Sequence, residues 1–143
     1  VQLWDGASGQ ELQHFTGHTS WMKSVTFSPD GEFVLTGSGD ETVRLWDRTS
    51  GEEMMRLAMG HENPIWSGSM SPDGQIILAC GAHGHVFFWS KRARAQWSLC
   101  GMFVARSPIG STFWETATRV LLAGQSSHPH IYHLELEGTG WRE

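Results

Sequence analysis

Short apolar or alternating runs, each closed by a tight polar turn, recur along the whole chain. Residues 22–27 alternate loosely and end in Ser28-Pro29-Asp30-Gly31, a turn in which Pro29 presets φ and Gly31 tolerates φ > 0. Residues 33–36 form a short apolar strand closed by Gly37. Residues 42–46 alternate β-branched or apolar with polar side chains, and residues 53–57 make a fourth strand. No segment carries a helical period of apolar positions, so the pattern predicts an all-β chain.

The same pattern repeats. Trp4, Trp46, Trp89 and Tyr132 each close a β-rich run, at spacings of 42, 43 and 43 residues. Gly17-His18 returns as Gly60-His61, and Ser28-Pro29-Asp30-Gly31 returns as Ser71-Pro72-Asp73-Gly74, both 43 residues on. Three independent markers with one period define an internal repeat, and four short strands per period describe the blade of a propeller.

Gly-His, Ser-Pro-Asp-Gly and Trp-Asp at these spacings resemble the WD40 family, closely over residues 1–89 and more faintly beyond. In the last period Phe103-Val104 stands in place of Gly-His, the turn reads Trp114-Glu115-Thr116-Ala117, and tyrosine replaces tryptophan. Phe113, Leu121, Gly124 and Tyr132 keep phase. The resemblance implies a WD40-type β-propeller fragment built of four-stranded antiparallel blades. Its parts are two closing strands in 1–15, a complete blade in 16–58, a second, partly diverged blade in 59–100, and a diverged blade in 101–143. At this period the 143 residues supply about 3.3 blades, an open arc short of the roughly 4–8 that close a ring. Closure then needs the remaining blades of a longer chain, or self-association. With Val1 at its start and little strand-forming sequence after Leu136, the chain reads as the C-terminal portion of a longer protein.

By the same resemblance, His18, Thr36, Asp40 and Trp46 form a hydrogen-bonded structural tetrad. Asp40 accepts from the imidazole, whose other nitrogen meets the Thr36 hydroxyl, which meets the Trp46 indole. These residues also spell a nucleophile, base and orienter. Thr36 lies mid-strand, however, and no G-x-S-x-G elbow exists, so no catalytic residue is assigned and the chain is read as a non-enzyme. In the next blade Ala79 and His83 replace the hydroxyl and the aspartate, which leaves that blade to apolar packing of Ile76, Ile77, Leu78, Phe87 and Phe88.

WD40 proteins place the loop after each Gly-His on the top face, near the central channel. Here it carries Ser20, Trp21 and Lys23, then Asn63, Pro64 and Trp66, then Arg106 and Ile109. Large aromatics beside a cation have the composition of a binding hot spot. Trp21 either stands exposed or packs on the neighbouring blade; Trp66 is read as exposed. The sequence Lys91-Arg92-Ala93-Arg94 is the one basic cluster, and it falls in a loop of the opposite face, open to an acidic partner or RNA. Trp46-Asp47-Arg48-Thr49 carries its arginine one place too early for the Trp-Asp-x-Arg signature of cullin-ligase receptors.

Composition narrows the function further. Charged residues are 17% and aromatics 11%, with eight tryptophans, which fits a buried core and not a disordered chain. The net charge of −5 argues against a duplex-DNA binder. Cys80 and Cys100, both in apolar settings, read as small buried thiols of a reducing compartment. The only asparagine, Asn63, is followed by proline, so there is no glycosylation sequon. No long apolar run marks a membrane span, and an intracellular location, cytoplasmic or nuclear, is expected. His83, His85, His128, His130 and His133 lack cysteine or carboxylate companions at ligand spacing, so no metal and no cofactor are assigned. The leading function is a non-catalytic protein–protein interaction scaffold. An RNA- or ribonucleoprotein-associated propeller is the alternative, and an enzyme the remotest.

Overall fold

A computed structural model describes residues 1–60, 62–91, 96–125, 130–137 and 140–142, with the backbone alone for 136, 137 and 140–142. His61, Arg92, Arg94 and His128 lie outside the described residues. The described residues contain strands and turns and no helix, hence no helix long and apolar enough to cross a membrane.

Among the described residues fourteen strands make four antiparallel sheets. The first pairs β1 (Gln2–Trp4) with β2 (Glu11–His14). The second runs in order through β3 (Met22–Phe27), β4 (Phe33–Ser38), β5 (Thr42–Asp47) and β6 (Glu53–Ala58). The third comprises β7 (Ile65–Met70), β8 (Ile76–Gly81), β9 (His85–Lys91) and β10 (Trp97–Val104). The fourth comprises β11 (Ile109–Trp114), β12 (Arg119–Gly124), β13 (Ile131–Glu137) and β14 (Gly140–Arg142). These are blades of an open propeller arc: half a blade, then three four-stranded ones. Two details depart from the sequence reading. Strand β10 runs past residue 100, and the terminal segment that reads as poor in strand signal pairs with β13 as a short fourth strand.

The sheets stack face to face because their central strands bury side chains on both faces. Every residue of β8 is buried. Ile77 and Ala79 join Leu35, Val43, Leu45, Ile65 and Trp89 in one core, between the second and third sheets. Ile76, Leu78 and Cys80 point the other way, into a core with Val86, Phe88, Ile109, Val120, Leu122 and Tyr132. This is period-2 alternation with both faces covered. A smaller core of Phe15, Val34 and Trp46, flanked by Val1 and Leu3, joins the half blade to the second sheet.

Where a neighbouring sheet is short or missing, apolar residues stay exposed. Val25 and Phe27 lie across from Thr36 and Val34 on the face toward the half blade, which has no inner strands to cover them, and they are 59% and 51% exposed. On the outward face of the fourth sheet, Phe113 and Ile131 are 65% and 66% exposed.

The turns repeat as the strands do. In both Ser-Pro-Asp-Gly turns the buried serine hydroxyl donates to the aspartate two residues on. It also accepts a backbone N–H, from Phe33 in one turn and Ile76 in the other, each at 2.9 Å. The aspartate of each Trp-Asp pair closes the following turn: Asp5 accepts from the N–H groups of Ala7 and Ser8, and Asp47 from those of Thr49 and Ser50. These bonds hold both carboxyls below the usual carboxylate range.

Cys80 is fully buried, which pushes its thiol pKa well up. Cys100 is only half-buried, its sulfur 3.4 Å from the Phe88 carbonyl, because β10 is an outer strand.

Candidate functional site

The four residues that resemble a tetrad meet in the second sheet. Nδ1 of His18 lies 2.8 Å from Oδ2 of Asp40, and Nε2 lies 2.8 Å from the Thr36 hydroxyl. The Trp46 indole N–H donates to that same hydroxyl at 2.8 Å. Burial lowers the pKa of His18, with Asp40 partly offsetting it, so the neutral ring dominates at pH 7. The matching tautomer carries the proton on Nδ1, donates to Asp40, and accepts from Thr36. Burial works against the Asp40 charge too, yet hydrogen bonds from Thr42, His18 and the Thr19 N–H hold its carboxyl well below the usual carboxylate range. Thr36 has no exposed surface. Its hydroxyl, already shared with Trp46 and His18, is out of reach of any substrate.

The network extends beyond the four residues of the sequence reading, through Arg44 to Thr42 and Glu53. Arg44 is buried, and its guanidinium donates to Asp40 at 3.2 Å, to Glu53 at 2.8 Å and to the Thr42 hydroxyl at 3.2 Å, lying over the Trp46 ring. The network thus ties β5 to β6 as well as to the loop before β3. Asp40 grips that loop directly, because it also accepts the Thr19 N–H at 3.1 Å. The Ser38 hydroxyl donates to the carbonyls of Ser20 and Trp21, and the Gly39 N–H donates to Trp21 O. The loop bearing Ser20 and Trp21 is therefore clamped by Asp40 of the tetrad together with its neighbours Ser38 and Gly39.

On that clamped loop Trp21 is 80% exposed. Ser20 is exposed beside it, and the Lys23 ammonium lies 5.8 Å from the Trp21 ring centre. Lys23 owes its position to a β-bulge. Met22 pairs with Ser38 and Ser24 with Gly37, which leaves Lys23 as the extra residue. The next blade repeats the device, with Ile65 opposite Gly81, Ser67 opposite Cys80, and Trp66 extra. In the fourth sheet the extra residue is Gly110, which presents no side chain. Bulges of this kind re-aim side chains next to functional surfaces.

The remaining candidates are placed differently. Trp66 is half-buried, less exposed than the sequence reading has it. Asn63 is also half-buried, and its side-chain oxygen has no hydrogen-bond partner among the described residues. Arg106 is exposed, and its backbone N–H donates to the Tyr132 hydroxyl at 3.0 Å. Lys91 is exposed at the opposite end of the blades, beside the turn of residues 71–74.

The third sheet is held by other means. Ala79 is buried in the core and His83 is exposed, so neither continues a polar chain. Trp89 stacks on Phe87 at 5.8 Å, with His85 following at 6.2 Å. Toward the fourth sheet, Ser69 accepts from the Thr112 hydroxyl at 2.8 Å and from the Trp114 indole at 3.0 Å. Among the described residues no group of three or more His, Cys, Asp or Glu stands close enough to hold a metal.

Four-stranded sheets stacked on a period of 43 residues, with a His-Asp-Thr-Trp network beneath one clamped loop, define a repeat propeller. The chain belongs to the WD40 family: the family's repeat (WD domain, G-beta repeat) matches residues 9–47 and 52–90. It is similar to WD repeat and SOCS box-containing protein 1 of Homo sapiens, 35% identical over 91 residues, covering 63% of this chain and 22% of that protein. It is also similar to the protein transport protein SEC13 of Chaetomium globosum, 28% identical over 107 residues, covering 68% of this chain and 37% of that protein. The nuclear distribution protein PAC1 of Arthroderma benhamiae is 38% identical over 64 residues, covering 44% and 14%. The chain thus spans well under two thirds of the length of each of these relatives.

Proposed function

We propose that this propeller arc is a non-catalytic protein-interaction scaffold that binds its partner through the loop bearing Ser20, Trp21 and Lys23. The observation that carries this reading is the pairing of exposure with rigidity. Trp21 presents most of its indole to solvent while its backbone is held by Ser38, Gly39 and, through Thr19, Asp40. A rigid aromatic loses little conformational freedom on binding, and an adjacent cation adds charge selectivity. Membership of the WD40 family and similarity to WD repeat proteins support a scaffold role in general terms.

The test compares proteins that co-purify with the intact protein and with its Trp21→Ala and Lys23→Glu variants. Selective loss of the same partners from both variants, with unchanged thermal melting, is the expected result. Partner sets identical to wild type would sink this reading.

A further inference from the structure

Among the described residues, two that are not glycine have φ in the left-handed region: Glu41 at +68° and Glu62 at +65°. They touch. The Glu62 N–H donates to the Glu41 carboxylate at 2.8 Å, across 21 residues of sequence. A side chain in that region costs conformational energy that glycine avoids, and it persists where its surroundings hold it, often at working surfaces. The repeat shows that glycine can serve here. The residue 43 places on, in the turn between β8 and β9, is Gly84 at φ +80°. Glu41 therefore gives up backbone ease for a carboxylate that reaches the loop leading to the next blade.

That loop, between β6 and β7, lacks one grip that its counterpart before β3 has. There the Thr19 N–H is held by Asp40 and the Trp21 carbonyl by the Gly39 N–H, both from the turn between β4 and β5. Before β7 the second of these bonds recurs, from the Ala82 N–H to the Pro64 carbonyl at 3.0 Å. In place of Asp40, however, stands the exposed His83. The turn of the preceding blade supplies a substitute. The Glu41 carbonyl accepts the Met59 N–H at 3.1 Å, and its carboxylate accepts the Glu62 N–H. The backbone half of this brace recurs one blade on, where the Ala105 N–H donates to the Gly84 carbonyl at 2.8 Å. Glycine has no side chain to supply the other half. One turn thus holds two loops, the first through Asp40 and the second through Glu41.

We infer that Glu41 is a positioning residue for partner binding. It ties the loop of residues 59–64 to the same turn that holds the Trp21 loop, so that the partner surface spans two blades. The brace stands on geometry alone; its use in binding rests on the scaffold reading above.

The experiment reads amide hydrogen exchange by NMR on the intact protein, in Glu41→Gly and Glu41→Gln. Glycine accepts φ +68° freely and has no carboxylate, so the melting temperature of Glu41→Gly should not fall. Its Glu62 amide should nevertheless exchange about two- to tenfold faster, the effect of losing one hydrogen bond. The Met59 amide, held by backbone, and the Thr19 amide, held by Asp40, should keep wild-type rates. Glu41→Gln keeps an acceptor oxygen and should exchange as wild type at Glu62. Unchanged Glu62 exchange in Glu41→Gly, or equal acceleration at Met59 and Thr19, would overturn the brace. Co-purification reads its use: partners released by Trp21→Ala should also be depleted in Glu41→Gly and retained in Glu41→Gln. A partner set identical to wild type in Glu41→Gly would overturn the role in binding. Partners lost from Glu41→Gly but kept by Trp21→Ala would uphold Glu41 while refuting the Trp21 site, so the two readings fail separately.

Discussion

The indole N–H of Trp46 donates to the Thr36 hydroxyl at 2.8 Å, and neither residue is more than 2% exposed. Buried together, Trp46 and His18 both satisfy a ring nitrogen on this one hydroxyl. Thr36→Val keeps the shape and removes the oxygen, leaving the indole N–H and the imidazole nitrogen unsatisfied. Each unsatisfied group costs about 1–3 kcal/mol, so urea denaturation should show a loss of that order or more. Thr36→Ser keeps the oxygen and should lose only about 1 kcal/mol for the missing methyl. Equal losses in the two variants would mean that packing, not hydrogen bonding, holds this blade.

The same network makes stability depend on pH in a defined direction. The folded pKa of His18 is lowered by burial, so its contribution is present above the ordinary value of 6.5 and is lost as pH falls from there through the folded value. Asp40 is also lowered, so its contribution is present above 3.8 and is lost at still lower pH. Thermal melts should therefore fall in two stages on acidification. In the first stage His18 gains a second N–H that faces the Thr36 oxygen, already occupied by Trp46. His18→Asn should remove the upper stage, and a wild-type melting temperature flat from pH 7 to about 5 would contradict this account.

How far the sequence predicts this arrangement depends on how local each interaction is. The tetrad was legible because His18, Thr36, Asp40 and Trp46 occupy fixed places in a repeated motif. Arg44 was not, since on a strand that alternates polar and apolar it reads as a solvent-facing position. Its burial follows from Asp40 and Glu53 converging on it from two other segments. The bulges that single out Lys23 and Trp66 are set by pairing register, which one strand alone does not carry. Trp66 reads as exposed from its place after the second Gly-His, but an indole's burial is decided by what the neighbouring loop leaves open.

Backbone conformation supplies a prediction at the turn between β8 and β9. Gly84 sits at φ +80°, and a Cβ there would lie 2.6 Å from the Ala105 carbonyl oxygen and 3.0 Å from that of Ser107. The Gly84 carbonyl cannot shift freely, because it accepts the Ala105 N–H at 2.8 Å. Gly84→Ala combines a left-handed conformation with a backbone clash and should cost more than about 1 kcal/mol. Gly74→Ala, at φ +69° with open space around it, should cost less. Chemical denaturation of the two variants side by side checks the order, and a larger loss at Gly74 would refute it.

Because the third sheet lacks the tetrad, its coupling to the fourth rests on a different polar link. The Ser69 hydroxyl, on β7, accepts from both Thr112 and Trp114 on β11, across the seam between innermost strands. Thr112 lies 3.3 Å from Ser67 as well, so it has a second partner to turn to if Ser69 is lost. Ser69→Ala should therefore be mild, at about 0.5–1.5 kcal/mol, and Trp114→Phe larger because packing goes with the N–H. Their combination should cost less than the sum, since both remove one hydrogen bond, and the cycle should return a coupling of about 0.5 kcal/mol or more. Amide exchange across β7 and β11 adds a reading that stability alone does not give. If the bond links the blades, Ser69→Ala should speed exchange in both strands together; if it is incidental, exchange should change near residue 69 alone and the cycle should close to zero.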